Sequence, residues 1–127
     1  MDWMKELANE LHDLGLGVSG QSLFTNNMPD SVESGILIVG LSPIKIHDDA
    51  RKYFLGEVQL VARGKNSGSA NQLANSVIDA IGDRSFETAT LRFIQCKAKH
   101  LPLLYPVSEG GFYEASVNFD IKFIAIS

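Results

Sequence analysis

The sequence has 127 residues, 45% of them hydrophobic and 20% charged, which predicts a single globular domain spanning residues 1–127. Eleven lysine and arginine residues against fifteen aspartate and glutamate residues give a net charge of −4. This sign disfavours non-specific binding to nucleic acid or to an anionic membrane. The single cysteine, Cys96, cannot form an internal disulfide, and the longest apolar stretch, Gly35 to Leu41, is too short to span a bilayer. The acidic, amphipathic N-terminus predicts no signal peptide.

The first third of the chain predicts one helix followed by strands. Residues Asp2–Leu14 place apolar side chains at helical spacing, with the first residue as the N-cap and Gly15 or Gly17 as the terminator. Gly20–Thr25 is a weak strand candidate. The continuous apolar run Ile36–Leu41 predicts a strand that is covered on both faces or that meets another molecule on one of them.

The remaining elements follow from alternation and from a second apolar stripe. We expect a loop at Pro43–Lys52, strands at Tyr53–Arg63, Glu87–Ala98 and Phe112–Ile126, and a helix at Ser69–Ile81. The last strand alternates most clearly, so one of its faces should be buried and the other wet. Two separated helices and a mainly antiparallel sheet predict an α+β fold with both helices packed on one sheet face.

Two glycine-rich segments invite a phosphate-binding interpretation, and both have a simpler one. Gly15, Gly17 and Gly20 spell G-x-G-x-x-G, but the motif follows a helix and precedes a strand, which is the reverse of the dinucleotide-binding order. The segment from residue 64 to 69 joins a strand to a helix but lacks the Gly-Lys-Ser/Thr of a P-loop. Helix termination and an N-cap at Ser67 or Ser69 explain these residues.

None of the candidate catalytic or metal-binding residue groups has the spacing that its chemistry requires. Cys96 and His100 would lie about 13 Å apart along a strand, and the segment around Ser22 lacks the second glycine of a nucleophile elbow. His47 and the aspartates that follow it are consecutive, and consecutive residues seldom converge on one ion. The sequence therefore predicts a protein that is not an enzyme and that holds no cofactor and no metal.

The unusual feature of the sequence is a set of apolar residues at positions where an isolated monomer would expose them to water. The loop Leu101–Val107 would present a contiguous apolar patch, unless it folds over the end of its own core. Together with the apolar strand, this predicts self-association through sheet edges and loops. The side chains predicted at a subunit interface are Ile36, Ile38, Leu101, Leu103, Leu104 and Tyr105.

Four segments, in this order, resemble a bacteriophage family. They are Gly15-Leu16-Gly17 at the helix end, Leu23-Phe24, Met28-Pro29-Asp30-Ser31, and the closing stretch Phe-Tyr-Glu-Ala-Ser-Val-Asn-Phe-Asp-Ile at residues 112–121. This arrangement is similar to that of the small minor capsid or tail terminator proteins, over nearly the whole chain. The shared motifs are structural and carry no reaction chemistry.

The resemblance implies a structural virion protein. Members of this kind assemble as a ring, commonly a hexamer, on the last ring of the tail tube, stop tube growth and join the tail to the neck or connector protein. DNA passes through the ring without specific binding, and no membrane is involved. The implied location is the junction of tail and neck in the virion, after assembly in the host cytoplasm.

Two further expectations complete the interpretation. The charged loop with His47, Asp48, Asp49 and Arg51 would contact the tube or the neck. Glu114 and Asp120, on the wet face of the last strand, would line the hole with a negative field that keeps DNA from adhering.

The alternatives are a tail tube or head-tail completion (neck) subunit, a monomeric α+β module that holds a small ligand between helices and sheet, and a phosphate-handling enzyme that uses Lys65 and Ser67.

Overall fold

One large sheet organises the chain, with two helices on one of its faces. The computed structural model describes residues 2–47, 52–105 and 111–126. The helices are α1 (Trp3–Asp13) and α2 (Ser67–Ile81). The strands are β1 (Leu23–Thr25), β2 (Gly35–Gly40), β3 (Lys45–Ile46), β4 (Tyr53–Gly64), β5 (Phe86–Glu87), β6 (Leu91–Ala98), β7 (Leu103–Leu104) and β8 (Tyr113–Ala125).

The sheet has the strand order β1-β2-β4-β8-β6-β5, and only the β1–β2 pair is parallel. The short strand β3 pairs with β4 beyond the end of β2, and β7 pairs with β8 beyond the end of β6. Buried side chains from both helices join one hydrophobic cluster with the strands. The predicted α+β fold, with a mainly antiparallel sheet and both helices on one face, is confirmed.

Helix α1 begins and ends where the sequence predicts. The Asp2 carboxylate accepts a hydrogen bond from the Lys5 backbone N–H at 3.1 Å, which makes it the N-cap. After the last turn, the Leu16 N–H donates to the Leu11 carbonyl, and Gly15 adopts a positive φ of 81°. This is a glycine-terminated C-cap, and the glycine is needed because the left-handed conformation strains other residues.

Helix α2 starts two residues earlier than predicted, and a different residue caps it. Asn66 is the N-cap, and it exchanges hydrogen bonds with Ser69 in a capping box, so neither Ser67 nor Ser69 is the cap. The helix also lies very close to β4. A Cβ atom on Gly64 would sit 2.6 Å from the backbone nitrogen of Ala70, so glycine is required at this approach.

The two longest strands, β4 and β8, form the centre of the sheet and define its two faces. Val58 pairs with Phe119 on the side that carries the helices, which we call the core face, and both side chains are fully buried. Glu57 pairs with Asp120 on the opposite side, which we call the open face. The alternation predicted for both strands is therefore observed.

The strand predicted at Glu87–Ala98 is interrupted. It divides into β5 and β6, with a turn between them at residues 88–90. A register shift between Phe93 and Gln95 then lets Leu91, Phe93 and Cys96 all point into the core, which strict alternation would not allow.

A buried carboxylate holds that turn to α1. Glu6 accepts hydrogen bonds from the Thr88 hydroxyl at 2.6 Å and from the Thr90 backbone N–H at 2.8 Å. The Thr90 hydroxyl donates to the other carboxylate oxygen of Glu6. Three donors to one carboxylate fix the helix against the sheet, because charge-assisted hydrogen bonds are the strong ones.

Two segments predicted as loops contain short strands. Lys45–Ile46 forms β3 inside the predicted loop Pro43–Lys52, and Leu103–Leu104 forms β7 inside the predicted apolar loop. Each is only two residues long and pairs with one neighbour. Alternation over two residues is too short to detect in a sequence, so only the tertiary pairing reveals these strands.

Candidate assembly surface

Among the described residues, Cys96 and His100 do not form the pair that a catalytic thiolate and its base would need. Cys96 is fully buried on the core face, and burial together with the Glu10 carboxylate raises the pKa of its thiol to about 12. His100 lies on the exposed side of the chain after β6, with its ring nitrogens 2.7 Å from the Leu101 carbonyl oxygen and 3.3 Å from the Asn118 backbone nitrogen. Because it is buried and its pKa is raised, the Cys96 thiol stays protonated and inaccessible.

The glycine-rich segments have the structural roles that the sequence favoured. Gly15 terminates α1, and Gly20, with a φ of 80°, belongs to the turn before β1. The segment before α2 uses its Asn66 and Ser69 side chains to cap the helix. The Ser69 N–H, one of the amide groups that could hold a phosphate at this N-terminus, is thus already bonded to the Asn66 side chain.

The surface depressions of the described residues are shallow. A depression of about 210 Å³ lies between α1 and β5, with the carboxylates of Glu10, Asp13 and Glu87 along it. Among residues 2–47, 52–105 and 111–126, no three histidine, cysteine or carboxylate side chains are grouped as metal ligands would be.

The apolar segment after β6 lies on the surface, as the sequence predicted. The exposed fractions are 80% for Leu101, 56% for Leu103, 44% for Leu104 and 39% for Tyr105. We call these residues, 101–105, the β7 segment. Its continuation, Pro106 and Val107, falls outside the described residues.

Specific contacts hold the β7 segment against β8. The Tyr105 N–H donates to the Glu114 carbonyl at 2.8 Å, and the Ser116 hydroxyl donates to the Tyr105 phenol oxygen at 3.0 Å. Because Ser116 itself is buried, the tyrosine ring covers part of the open face. The apolar side chains are therefore displayed by a fixed strand.

The two other residues predicted at a subunit interface lie elsewhere. Ile36 and Ile38 of β2 are fully buried in the core, where they pack with residues of the two helices. Their strand also lies between β1 and β4, so its backbone edges are already paired within the chain. This prediction is corrected: the Ile36 and Ile38 side chains are covered by the protein's own core, while Leu37 and Val39 on the open face are half buried.

Of the predicted charged loop, only His47 is among the described residues. Its backbone N–H donates to the Tyr53 carbonyl at 2.9 Å, and the two rings meet edge to face at 5.2 Å. These contacts place it at the start of a β3–β4 hairpin. Asp48, Asp49 and Arg51 lie outside the described residues.

Glu114 is part of a buried polar cluster at one end of the sheet. Its carboxylate lies 3.1 Å from Nε of Arg63, whose side chain is only 10% exposed. A terminal nitrogen of the same guanidinium donates to the Pro29 and Val32 carbonyls at 2.9 and 3.0 Å, and the Phe112 ring lies 4.9 Å away. The Glu114 charge is therefore neutralised by an arginine that also ties a loop to the sheet.

Asp120 is matched by a cation as well. It lies directly across from Glu57 in β4, and Lys99 reaches both carboxylates, at 3.8 and 2.9 Å. Lys97 of β6 is its register partner on the other side. The expectation that Glu114 and Asp120 give this face a negative field is therefore corrected, because each is balanced by a neighbouring cation.

The structure adds one exposed apolar residue that sequence reasoning missed. Ile46 of β3 is 69% exposed, and its strand lies on the edge of the sheet opposite to the β7 segment. The alternation of Ile44, Lys45 and Ile46 directly after Pro43 was the available signal. This alternation is short and lies beside charged residues, so the sequence pattern predicts a loop there.

No described helix is long and apolar enough to cross a bilayer.

A search of curated proteins found no match. Among solved structures, the fold is similar to that of a chain in the virion of a native gene transfer agent particle, with a TM-score of 0.69 over 95% of this chain and 93% of that chain at 10% identity. Residues 10–123 match a sequence family described as bacteriophage tail terminator protein. Because this match spans most of the sequence, the chain belongs to the bacteriophage tail terminator family.

Proposed function

We propose that this chain is a tail terminator subunit, of which six copies form a ring on the last ring of the tail tube. The ring stops tube polymerisation, joins the tail to the neck or connector protein, and lets DNA pass through its hole. It belongs to the virion at the junction of tail and neck, after assembly in the host cytoplasm. The observation that carries this proposal is the family match over residues 10–123, which supports a structural role in completing the tail and no enzymatic one.

A physical argument connects this role with the exposed apolar edges. A tube that lengthens ring by ring presents a binding surface at its growing end, and a terminator must match that surface on one side and withhold it on the other. The subunits must also hold one another laterally. The β7 segment, apolar and fixed on β8, suits such a lateral contact.

The lateral contact is tested by adding charge to the β7 segment. Replacing Leu103 and Leu104 together with aspartate should leave the fold intact, because both side chains are largely exposed, and should abolish assembly as followed by light scattering. Val18→Asp is the matched control, an equally exposed apolar residue at the other edge of the sheet. Assembly of the doubly substituted protein at the wild-type level would remove this segment from the interface.

Termination itself is tested by imaging. Negative-stain images of the protein alone and after addition to polymerising tubes of its own particle should show rings and capped tube ends. Disrupting the gene in the genome that encodes it should give overlong tubes that lack heads. Tubes of normal length, joined to heads, would contradict the proposed function.

We place the open face towards the hole, with a balanced charge in place of a negative one. Asp120 is the residue that probes this position, because its side chain is nearly half exposed, whereas substituting Glu114 would also break the Arg63 ion pair. Asp120→Lys should increase retention of the assembled ring on duplex DNA at low salt. Unchanged retention would argue against a position in the hole.

The charged segment with His47, Asp48, Asp49 and Arg51 is proposed to contact the tube or the neck. Reversing its charges with Asp48→Lys and Asp49→Lys should leave rings intact and weaken the capping of tube ends. Failure to form rings would instead assign this segment to the lateral contact.

A small-ligand module has less support. Its ligand would lie between the helices and the sheet, and that space is filled by packed side chains such as Leu7, Leu11 and Phe93, each fully buried. No observation favours a tube or neck subunit over a terminator.

A further inference from the structure

We infer that neighbouring subunits join head to tail through the outer edges of β3 and β7, so that Ile46 of one copy pairs with Leu104 of the next. This inference rests on the proposed ring and identifies the strands that close it. The occupant of each edge is a second copy of this chain. Four observations carry the argument: the direction of the backbone groups, the exposure of the side chains, their positions in the sheet and the available area.

The backbone of Leu104 faces away from the sheet. The Tyr105 N–H donates to the Glu114 carbonyl, so Tyr105 directs its backbone groups towards β8. Adjacent residues of a strand direct their N–H and C=O groups to opposite sides. Leu104, which lies across from Ala115, therefore presents both groups at the outer edge.

The backbone of Ile46 faces outward for the same reason. The His47 N–H donates to the Tyr53 carbonyl, which directs the His47 backbone towards β4. Ile46 lies across from Phe54, next to this bonded pair, and turns its N–H and C=O to the other side. In the described part of the chain, no strand pairs with the outer edge of either β3 or β7.

Each of these two residues also exposes an apolar side chain, 69% for Ile46 and 44% for Leu104. In an antiparallel sheet, two such residues can face each other and exchange both hydrogen bonds. Exposed strand edges usually carry charges or other features that prevent pairing. An apolar residue at the outward position of each edge favours pairing instead.

The two edges occupy opposite sides of one subunit, as a closed ring requires. β3 flanks β4 across from residues 122 and 123 of β8, and β7 flanks residues 115 and 116 of β8 on its other side. They are therefore displaced by seven residues, about 23 Å, along the strands. A ring of more than two copies needs two different surfaces that fit each other, whereas a two-fold contact needs one surface that fits itself.

The area of the β7 segment agrees with a lateral contact. At the observed exposures, its four apolar side chains present roughly 400 Å², about half of the ~800 Å² that each partner gives to a stable interface. The backbone edge and the neighbouring side chains supply the rest. A contact of this size suits a ring whose copies are held together on a tube end, because multivalent contacts reinforce one another.

Disulfide trapping tests this pairing. Facing residues in a hydrogen-bonded antiparallel pair have Cα atoms about 5.5 Å apart, which falls in the range that a disulfide needs. Ile46→Cys and Leu104→Cys proteins are prepared separately, mixed, and oxidised with diamide. The native Cys96 does not interfere because it is fully buried.

The mixture should give at least about tenfold more disulfide-linked dimer than either protein alone. The control is Ile94→Cys mixed with Leu104→Cys, since Ile94 is also exposed but lies on β6, on the same side of β8 as β7. A double variant, Ile46→Cys with Leu104→Cys, should give a ladder that ends at the number of subunits in the ring.

Three results would overturn the inference. They are dimers of Leu104→Cys with itself, equal crosslinking in the Ile94 control, and no crosslink in the mixture. Tube capping by the wild-type protein, imaged in parallel, separates the two proposals. Capped tubes without the crosslink would support the proposed function and reject this interface. A ladder of crosslinked species without capped tubes would support this interface and reject the proposed function.

Discussion

The two faces of β8 belong to the same thirteen residues and have opposite chemistry. On the core face, alternate residues from Ala115 to Phe123 are all buried and apolar. On the open face, the intervening residues make polar contacts, such as that of Asn118 with Gln59 at 3.2 Å and that of Glu114 with Arg63. The core face excludes water, and the open face satisfies its polar groups in pairs.

This contrast indicates on which face substitutions should destabilise the protein most and where the sequence can vary. Burying apolar area is the dominant favourable contribution to folding, so substitutions on the core face should be costly. On the open face the cost should depend on how deeply each polar pair is buried. The sheet edges, which belong to neither face, remain available for contacts with other molecules.

The largest effect is expected at Phe123, which stacks or tilts against Trp3, Phe54 and Phe93 with ring centroids 5.2 to 6.1 Å apart. Phe123→Ala should lower the free energy of unfolding by about 3–5 kcal/mol, measured by urea denaturation. Its neighbour on the open face gives the control, and Lys122→Ala should change it by less than about 0.5 kcal/mol. Similar losses for the two variants would contradict the conclusion that the core face contributes more to stability than the open face.

Arg63 should be the costliest residue to remove on the open face. Arg63→Ala leaves the Glu114 carboxylate and two loop carbonyls without their donor, and removing one partner of a buried ion pair costs about 3 kcal/mol. Chemical denaturation of this variant and of Arg92→Ala, whose ion pair with Glu87 is exposed, separates burial from charge. Equal stability of the two variants would contradict the assignment.

Glu6 should make stability depend on pH. Burial acts to raise the pKa of its carboxyl, but hydrogen bonds from Thr88 and Thr90 outweigh it and lower the pKa. A pKa that is lower in the folded state stabilises the fold above the unfolded value, and this contribution is lost as the pH falls through the folded value.

Glu6→Gln should therefore cost about 1–2 kcal/mol at pH 7 and much less at a pH below the lowered folded pKa of Glu6, as measured by denaturation at both pH values. Glu10→Gln is the matched control on the same helix, because burial and Asp13 raise the pKa of Glu10 and give the opposite sign. The same loss for Glu6→Gln at both pH values would refute this role.

The smallest effect is expected at Lys99. The hydrogen bond that its ammonium group donates to Glu57 and the charge of Asp120 raise the pKa of that ammonium group, but the side chain is solvent-exposed, and such ion pairs contribute little. Lys99→Met should shift the denaturation midpoint slightly at low salt and not at all in about 1 M salt. A large shift that persists in high salt would show that this contact is stronger than its exposure implies.

Much of the architecture followed from patterns of adjacent residues. The caps of α1, the alternation of β4 and β8, and the fold class are local or periodic features, and local chemistry determines them. The start of α2 was misplaced because three neighbouring polar residues could cap it, and the capping box that Asn66 forms with Ser69 starts the helix at Ser67. The break at residues 88–90 depended on Glu6, which lies more than eighty residues away in the sequence.

By itself, the sequence determined the composition of the core, the alternation of the long strands and the apolar character of residues 101–105. Only the tertiary structure decided which apolar residues are free for a partner. It buried Ile36 and Ile38, left Ile46 and Leu104 exposed, and paired Glu114 with Arg63. The physical reason is that exposure and charge balance depend on contacts between distant segments, and hydrophobic periodicity records only the average environment of each one.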